Sequence, residues 1–206
     1  MIIDTGGSRS FPDGFADDSA DVVILIGTRA GAALANVPES ASRRAILVEL
    51  GTECLGVHTG ESRGEEGSNV LGFARFRLGD APPSKLVELV RQPRSNPDAI
   101  AAAKAVFEGA GLVVAVCNDF PGRIVDRLVR PYYNAALRRL DEGLASADDL
   151  DTTLKLGLGY PEGPIGLLEK TGLAHHHDVT RALYEQLGDA AYAPARRALV
   201  AKQRKA

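Results

Sequence analysis

Cys117-Asn118-Asp119-Phe120-Pro121-Gly122-Arg123-Ile124-Val125-Asp126-Arg127-Leu128-Val129-Arg130-Pro131-Tyr132-Tyr133-Asn134-Ala135-Ala136 is the stretch on which the chain changes character. From Ile124 the apolar residues recur every fourth position through Leu128, Tyr132, Ala136 and Leu140, and Val125, Val129 and Tyr133 widen the stripe. That spacing puts them on one face of an α-helix. Asp119 is placed to cap its start, Pro121 is tolerated in a first turn, and Pro131 is expected to kink it by removing the bond to Arg127. Downstream, Ser146 with Asp148 and Asp149 opens a second helix that carries Leu150 and Leu154 inward and closes at Gly157. Pro164 starts a third helix, and helical stretches at about 174–187 and 194–202 complete a bundle with short connections.

Upstream of Asn118 the pattern is different. Asp21-Val22-Val23-Ile24-Leu25-Ile26-Gly27 is a nearly continuous apolar run, as in a strand buried on both faces. Runs at 45–48, 70–73, 85–90 and 112–116 look alike, and an Ala-rich helical segment spans 97–110. Strands alternating with helices predict an α/β layer with a largely parallel sheet. The glycine-rich stretch 60–67 is read as a polar loop.

Composition narrows the function classes. The 206 residues are 45% hydrophobic and 25% charged, with a net charge of -3. Such a balance supplies no field that would gather nucleic acid or an anionic membrane. The basic run Lys202-Gln203-Arg204-Lys205 reads as a solvated tail. The longest apolar run, 22–26, is far short of the roughly 20 residues that span a bilayer. With no apolar h-region after Met1-Ile2-Ile3-Asp4, the chain reads as cytoplasmic. Cys54 and Cys117 are read as buried thiols. His175-His176-His177 cannot share a helical face as metal ligands do, so no metal site is expected and the three are read as a solvated helix start.

Taken together, these pieces resemble the 3-hydroxyacyl-CoA dehydrogenase family. Residues 117–136 are similar to its D-x-P-G-F-x-x-N-R-L-x-x-P-Y-x-x-E-A signature, 144–151 to its G-x-A-[ST]-x-x-D-I-D element, and 155–164 to its K-L-G-x-G-x-P-M-G-P loop, with Gly172-Leu173 following. Weaker similarity runs upstream: 19–24 to A-D-L-V-I-E, 71–76 to G-L-H-F-F-N-P, and 85–90 to K-L-V-E-V. The resemblance implies a truncated Rossmann-like parallel sheet over residues 1–117. A helical domain over 118–206 follows it, forming a homodimer and bordering an acyl-CoA cleft. NAD as cofactor and a setting in fatty acid metabolism are implied likewise.

In that family a histidine takes the 3-hydroxyl proton while hydride passes to NAD, and a glutamate orients the histidine. Glu88 matches the glutamate. The histidine position falls on Ala74, with Gly79-Asp80-Ala81-Pro82-Pro83 lengthening the intervening loop. The asparagine that holds substrate falls on Asp126, which can alternatively pair with Arg130 one turn on. The family's N-T-S-S-L segment corresponds loosely to 50–55. Arg75 and Arg77 are read as facing solvent or the cleft, where CoA phosphates are one possible partner.

A dinucleotide fold also needs a G-x-G-x-x-G turn between strand and helix. Residues 1–18 hold none, and the first βαβ unit is expected to be missing. Gly27-Thr28-Arg29-Ala30-Gly31 is a strand-to-helix turn that could offer N–H groups to an anion. Standard NAD binding from this chain alone is therefore not expected. Two readings follow. One is a non-catalytic relative that keeps an acyl-CoA-binding surface. The other is an active NAD-dependent dehydrogenase with a non-standard base, for which Asp126 and His58 are the candidates.

Overall fold

The run Val22–Ile26 forms β2 with all five residues buried, as a strand covered on both faces must be. The computed structural model describes residues 1–17 and 19–205. Its other strands are β1 (Ile2–Asp4), β3 (Ala45–Glu49), β4 (Val70–Arg75), β5 (Leu86–Arg91) and β6 (Val113–Asn118). They form one sheet in the order β1-β2-β3-β4-β5-β6. Only the β4–β5 pair is antiparallel. β1 was not anticipated, because three residues ending in Asp4 are too short to carry a strand period.

Alternation divides the core between the two faces of the sheet. Val22, Ile24, Ile26, Leu47, Phe73 and Leu89 pack with Ala99, Ala102, Ala103 and Phe107. Those last four lie on α3 (Pro97–Gly109), where the Asn96 side chain accepts from the Asp98 N–H at 2.9 Å and Pro97 fills the first turn. On the opposite face Val23, Leu25, Ile46 and Val48 pack with Ala30, Val37 and Leu55. Ala30 opens α1 (Ala30–Ala33), and Leu55 precedes α2 (Gly56–Thr59).

The chain separates into two compact units, Met1–Arg77 with Pro83–Ile124, and Leu78–Pro82 with Val125–Ala206. The lengthened loop thus has a structural partner in the second unit. At Gly79, with φ +51°, an added Cβ would lie 1.4 Å from the Thr171 carbonyl oxygen, so the close approach requires glycine.

The helices of the second unit are α4 (Ile124–Asp141), α5 (Ala147–Leu158), α6 (Pro164–Thr171), α7 (Leu173–Leu187) and α8 (Arg196–Lys205). Ser146 caps α5 by accepting from the Asp149 N–H at 3.1 Å. The helix runs past Gly157 and stops at Gly159, whose left-handed φ of 71° supplies the C-cap. Asp151 accepts from the Ile165 and Gly166 N–H groups, both at 2.8 Å, at the start of α6. α8 begins two residues later than expected and continues to Lys205. Among the described residues no helix is long and apolar enough to cross a membrane.

Asp119 does not cap α4. Its carboxylate accepts from the Leu55 and Gly56 N–H groups at 2.7 and 2.8 Å, where α2 begins. The reason is local. Pro121 keeps Phe120 out of the helical region, Gly122 turns the chain at φ +71°, and α4 starts only at Ile124.

Candidate functional site

The antiparallel register of β4 and β5 sets Ala74 directly opposite Glu88, and β6 sets Ala115 on its other side. Directly opposed residues share a face, with Cβ atoms about 4.5–5.5 Å apart. The lengthened loop is therefore absorbed without loss of the pairing that would bring an imidazole at position 74 to the Glu88 carboxylate. Glu88 is 1% exposed. A methyl group faces it where the resemblance expects a base.

The segment 50–55 is held by the turn after β6. Arg123 donates to the carbonyls of Gly51 at 3.1 Å, Glu53, and Phe120 at 2.9 Å. The Gly122 N–H donates to the Thr52 carbonyl at 2.7 Å. Burial pushes the Cys54 thiol up, with the Asp119 charge adding to the effect. Arg75 corrects the expectation of a solvent- or cleft-facing cation. Its guanidinium donates to the carbonyls of Ser84 (2.8 Å), Ser10 (2.7 Å) and Pro83 (3.4 Å), and lies 5.0 Å from the Phe11 ring centre. Burial lowers its pKa. These carbonyls take three of the five guanidinium N–H donors.

At the ends of β2 and β3 a cavity of about 420 Å³ is lined by Gly7, Gly27, Arg29, Glu49, Glu53 and His58, among others. Its base is already furnished with an anion. One Glu49 carboxylate oxygen accepts from the Arg9 and Ser10 N–H groups at 3.0 and 2.7 Å, and the other accepts from the Gly27 N–H at 2.7 Å. The strand-to-helix glycine therefore gives its N–H to this protein's own side chain. His58 sits 3.5 Å from Glu53 at the same cavity.

Asp126 pairs with Arg130, Oδ1 to Nε at 2.7 Å, as the one-turn spacing suggests. The buried Arg130 leads into a network that the sequence did not disclose. Its Nη1 lies 3.1 Å from His176 Nδ1, and His176 Nε2 lies 3.0 Å from Asn134 Oδ1. Since guanidinium only donates, Nδ1 must accept and Nε2–H must donate, which requires the neutral imidazole. Asn134 completes the chain by donating to the Ala191 and Ala193 carbonyls at 3.0 and 3.1 Å.

His176 thus corrects the solvated reading of the histidine run, being 1% exposed on α7. Burial, and then the Arg130 charge, hold its pKa down at about 3 against an ordinary 6.5. A folded pKa below the unfolded one means the unfolded chain binds more protons between those values, so this term weakens the fold as pH falls through the interval. Stability should rise from about pH 3 to 6.5, with His176 contributing up to roughly 1.4 kcal/mol per pH unit. Urea unfolding across that interval, compared with His176→Gln, checks it. Identical slopes for the two proteins would contradict a neutral buried imidazole. Among the described residues, no group of three or more His, Cys, Asp or Glu side chains is placed to hold a metal ion.

Comparison with known proteins adds a decisive observation. Residues 122–205 match the family model for the 3-hydroxyacyl-CoA dehydrogenase C-terminal domain. The helical half belongs to that family. Human mitochondrial hydroxyacyl-coenzyme A dehydrogenase is 40% identical over 92 residues, which are 45% of this chain and 29% of the relative. A 3-hydroxybutyryl-CoA dehydrogenase of Bradyrhizobium diazoefficiens is 34% identical over 117 residues, 57% of this chain and 40% of the relative. The chain thus spans well under half the length of these curated relatives.

Among solved structures, (S)-3-hydroxybutyryl-CoA dehydrogenase PaaH1 from Ralstonia eutropha superposes with a TM-score of 0.71 at 25% identity, covering 87% of this chain and 64% of that one. M. tuberculosis FadB2 gives a TM-score of 0.74 at 22% identity, covering 91% and 67%, which is likeness of fold alone. The Rossmann-like sheet followed by a 3-hydroxyacyl-CoA dehydrogenase-type helical domain is the architecture of this chain.

Proposed function

We propose that this chain is a divergent 3-hydroxyacyl-CoA dehydrogenase relative that keeps an acyl-CoA-binding surface and lacks dehydrogenase turnover. The observation that carries the reading is Ala74 opposite Glu88. A carboxylate that orients an imidazole does nothing for proton transfer when its cross-strand partner is a methyl group. Asp126, at the substrate-holding position, is committed to Arg130.

The residues present do not fit the NAD that the family implies. A pyrophosphate needs free N–H groups at the glycine turn, and the Gly27 N–H is taken by Glu49. The α1 helix beyond that turn is only four residues long. Among the described residues the strand order also runs without reversal, whereas a doubly wound fold binds its dinucleotide where the order reverses.

Acyl-CoA binding is supported by the relatives, whose names specify hydroxyacyl- and hydroxybutyryl-CoA. A ligand that binds only the folded state raises the melting temperature with the logarithm of its concentration over Kd. Acetoacetyl-CoA is expected to do so here without supporting oxidation of NADH. A melting temperature unmoved at millimolar acetoacetyl-CoA would remove the binding half of the proposal.

The helical unit is further proposed to form a homodimer. Leu128 is 70% and Leu156 82% exposed, and Leu144 and Leu158 are also exposed, more apolar surface than a small unit usually leaves to water. Light scattering at micromolar concentration should give twice the chain mass, and Leu128→Glu should halve it. A monomeric wild-type chain would contradict the dimer.

A further inference from the structure

We propose that the cavity at the ends of β2 and β3 binds a small monocarboxylic acid that carries a hydroxyl group on an apolar body. Its volume of about 420 Å³ lies within the range of ligand pockets, and Ala30, Ala32 and Leu50 give it apolar wall. Every residue that lines it belongs to the first unit. A CoA thioester has no carboxylate of its own to offer, so the inference does not depend on the acyl-CoA reading.

The Gly27 N–H is committed to Glu49, so an anion entering the cavity must be met by a side chain. Arg29 supplies it. The Arg29 N–H donates to Thr5 Oγ1 at 3.1 Å, and that hydroxyl donates to the Ile26 carbonyl at 2.9 Å. These bonds tie Arg29 to the ends of β1 and β2. Among the described residues its guanidinium has no hydrogen-bond or ion-pair partner, whereas that of Arg9 donates to the Arg77 carbonyl at 3.3 Å. An open guanidinium matches a carboxylate with two parallel N–H donors. It would match a phosphate too, but Glu49 and Glu53 line the same cavity. Two carboxylates repel the second charge of a phosphate, which favours a monoanion.

His58 selects the second group. Its Nε2 lies 3.5 Å from Glu53 Oε1, which also accepts from the Gly51 N–H at 3.1 Å. A carboxylate only accepts, so Nε2 keeps its hydrogen and Nδ1 of the neutral ring is an acceptor. Among the described residues Nδ1 has no partner, and it is not sealed from solvent. The side chain is 20% exposed. Its Cε1–Nδ1 edge lies against Gly31, itself part of the cavity wall, so closely that an added Cβ there would overlap the ring. Gly31 follows Arg29 by two residues, which brings guanidinium and imidazole to one stretch of wall. An acceptor beside a cation calls for a donor beside an anion, and a hydroxy acid carries both.

The test titrates mandelate into the full chain, with the His58 ring signal followed by NMR and identified by its loss in His58→Phe. Three related compounds each change one feature. Methyl mandelate lacks the anion, phenylacetate lacks the hydroxyl, and phenyl phosphate carries the second charge. Mandelate should bind saturably and more tightly than any of them. Arg29→Ala, at an exposed position, should weaken it roughly 3- to 10-fold and remove its advantage over methyl mandelate. Gly31→Ala should displace the imidazole and spare the fold, because only the far end of a side chain has to yield. It should erase the roughly 2- to 10-fold preference for mandelate over phenylacetate, the worth of one neutral hydrogen bond. A His58 that merely braces α1 would leave that preference unchanged. The proposal is overturned if mandelate gives no saturable shift, if phenyl phosphate binds more tightly, or if either variant retains the preference it should lose.

Discussion

Glu49→Ala should destabilise the first unit by about 3 kcal/mol or more, the largest loss expected of any single substitution at the Gly27 cavity. The carboxylate satisfies three backbone donors, from Arg9, Ser10 and Gly27. Each buried donor left without a partner costs about 1–3 kcal/mol, and water entering from the cavity offsets part of that. Glu49→Gln is expected to fall between, because an amide presents one oxygen where two are used, and its nitrogen would face another donor. Urea unfolding measures both. A loss below about 0.5 kcal/mol for the alanine variant, the ordinary range for an inconsequential surface change, would mean that the carboxylate is not what holds these strands' ends together.

The second large effect concerns turnover. A positioned general base contributes about 10²- to 10⁴-fold, and Ala74 supplies none. Purified protein is therefore expected to oxidise NADH with acetoacetyl-CoA far below the ordinary range of about 1 to 10³ per second. Ala74→His should bring an imidazole opposite Glu88, since the register is already in place, and yet should not restore the reaction. The Gly27 N–H, at the one strand-to-helix turn read as able to offer donors to an anion, remains committed to Glu49, and the two deficits act on different steps. Ordinary turnover by the wild-type chain would point to another base, with His58 beside Glu53 the first to mutate. Substantial turnover by Ala74→His alone would show the cofactor site to be intact.

Much of the frame could be read from residue patterns because it rests on local rules. The run at 22–26 had to be a doubly covered strand, and the four-residue period from Ile124 had to be one long helix. Ser146 and Pro164 marked helix starts by chemistry that acts within one turn. The Asp126–Arg130 pair followed from the same one-turn logic. What escaped detection depends on residues far apart in the chain. Asp119 looked like a cap for the helix after it, but its carboxylate serves backbone 63 and 64 residues away. Glu49 is an ordinary strand-end residue until the fold brings the N–H groups of residues 9, 10 and 27 to it. His176 is indistinguishable from its two neighbours in sequence, and only the helix phase that turns it toward Arg130 and Asn134 buries it. The opposition of Ala74 and Glu88 was legible in residue type but not in geometry, since the longer loop obscured a register that the sheet preserves.

The most direct test of the central claim is a titration of NADH with the purified chain, following the coenzyme's fluorescence. A protein whose glycine turn is filled by its own carboxylate should give no saturable change in intensity or wavelength up to millimolar concentration. Saturable binding with a micromolar Kd would contradict the account, because the dinucleotide would then have found N–H donors that the bonds to Glu49 leave it without.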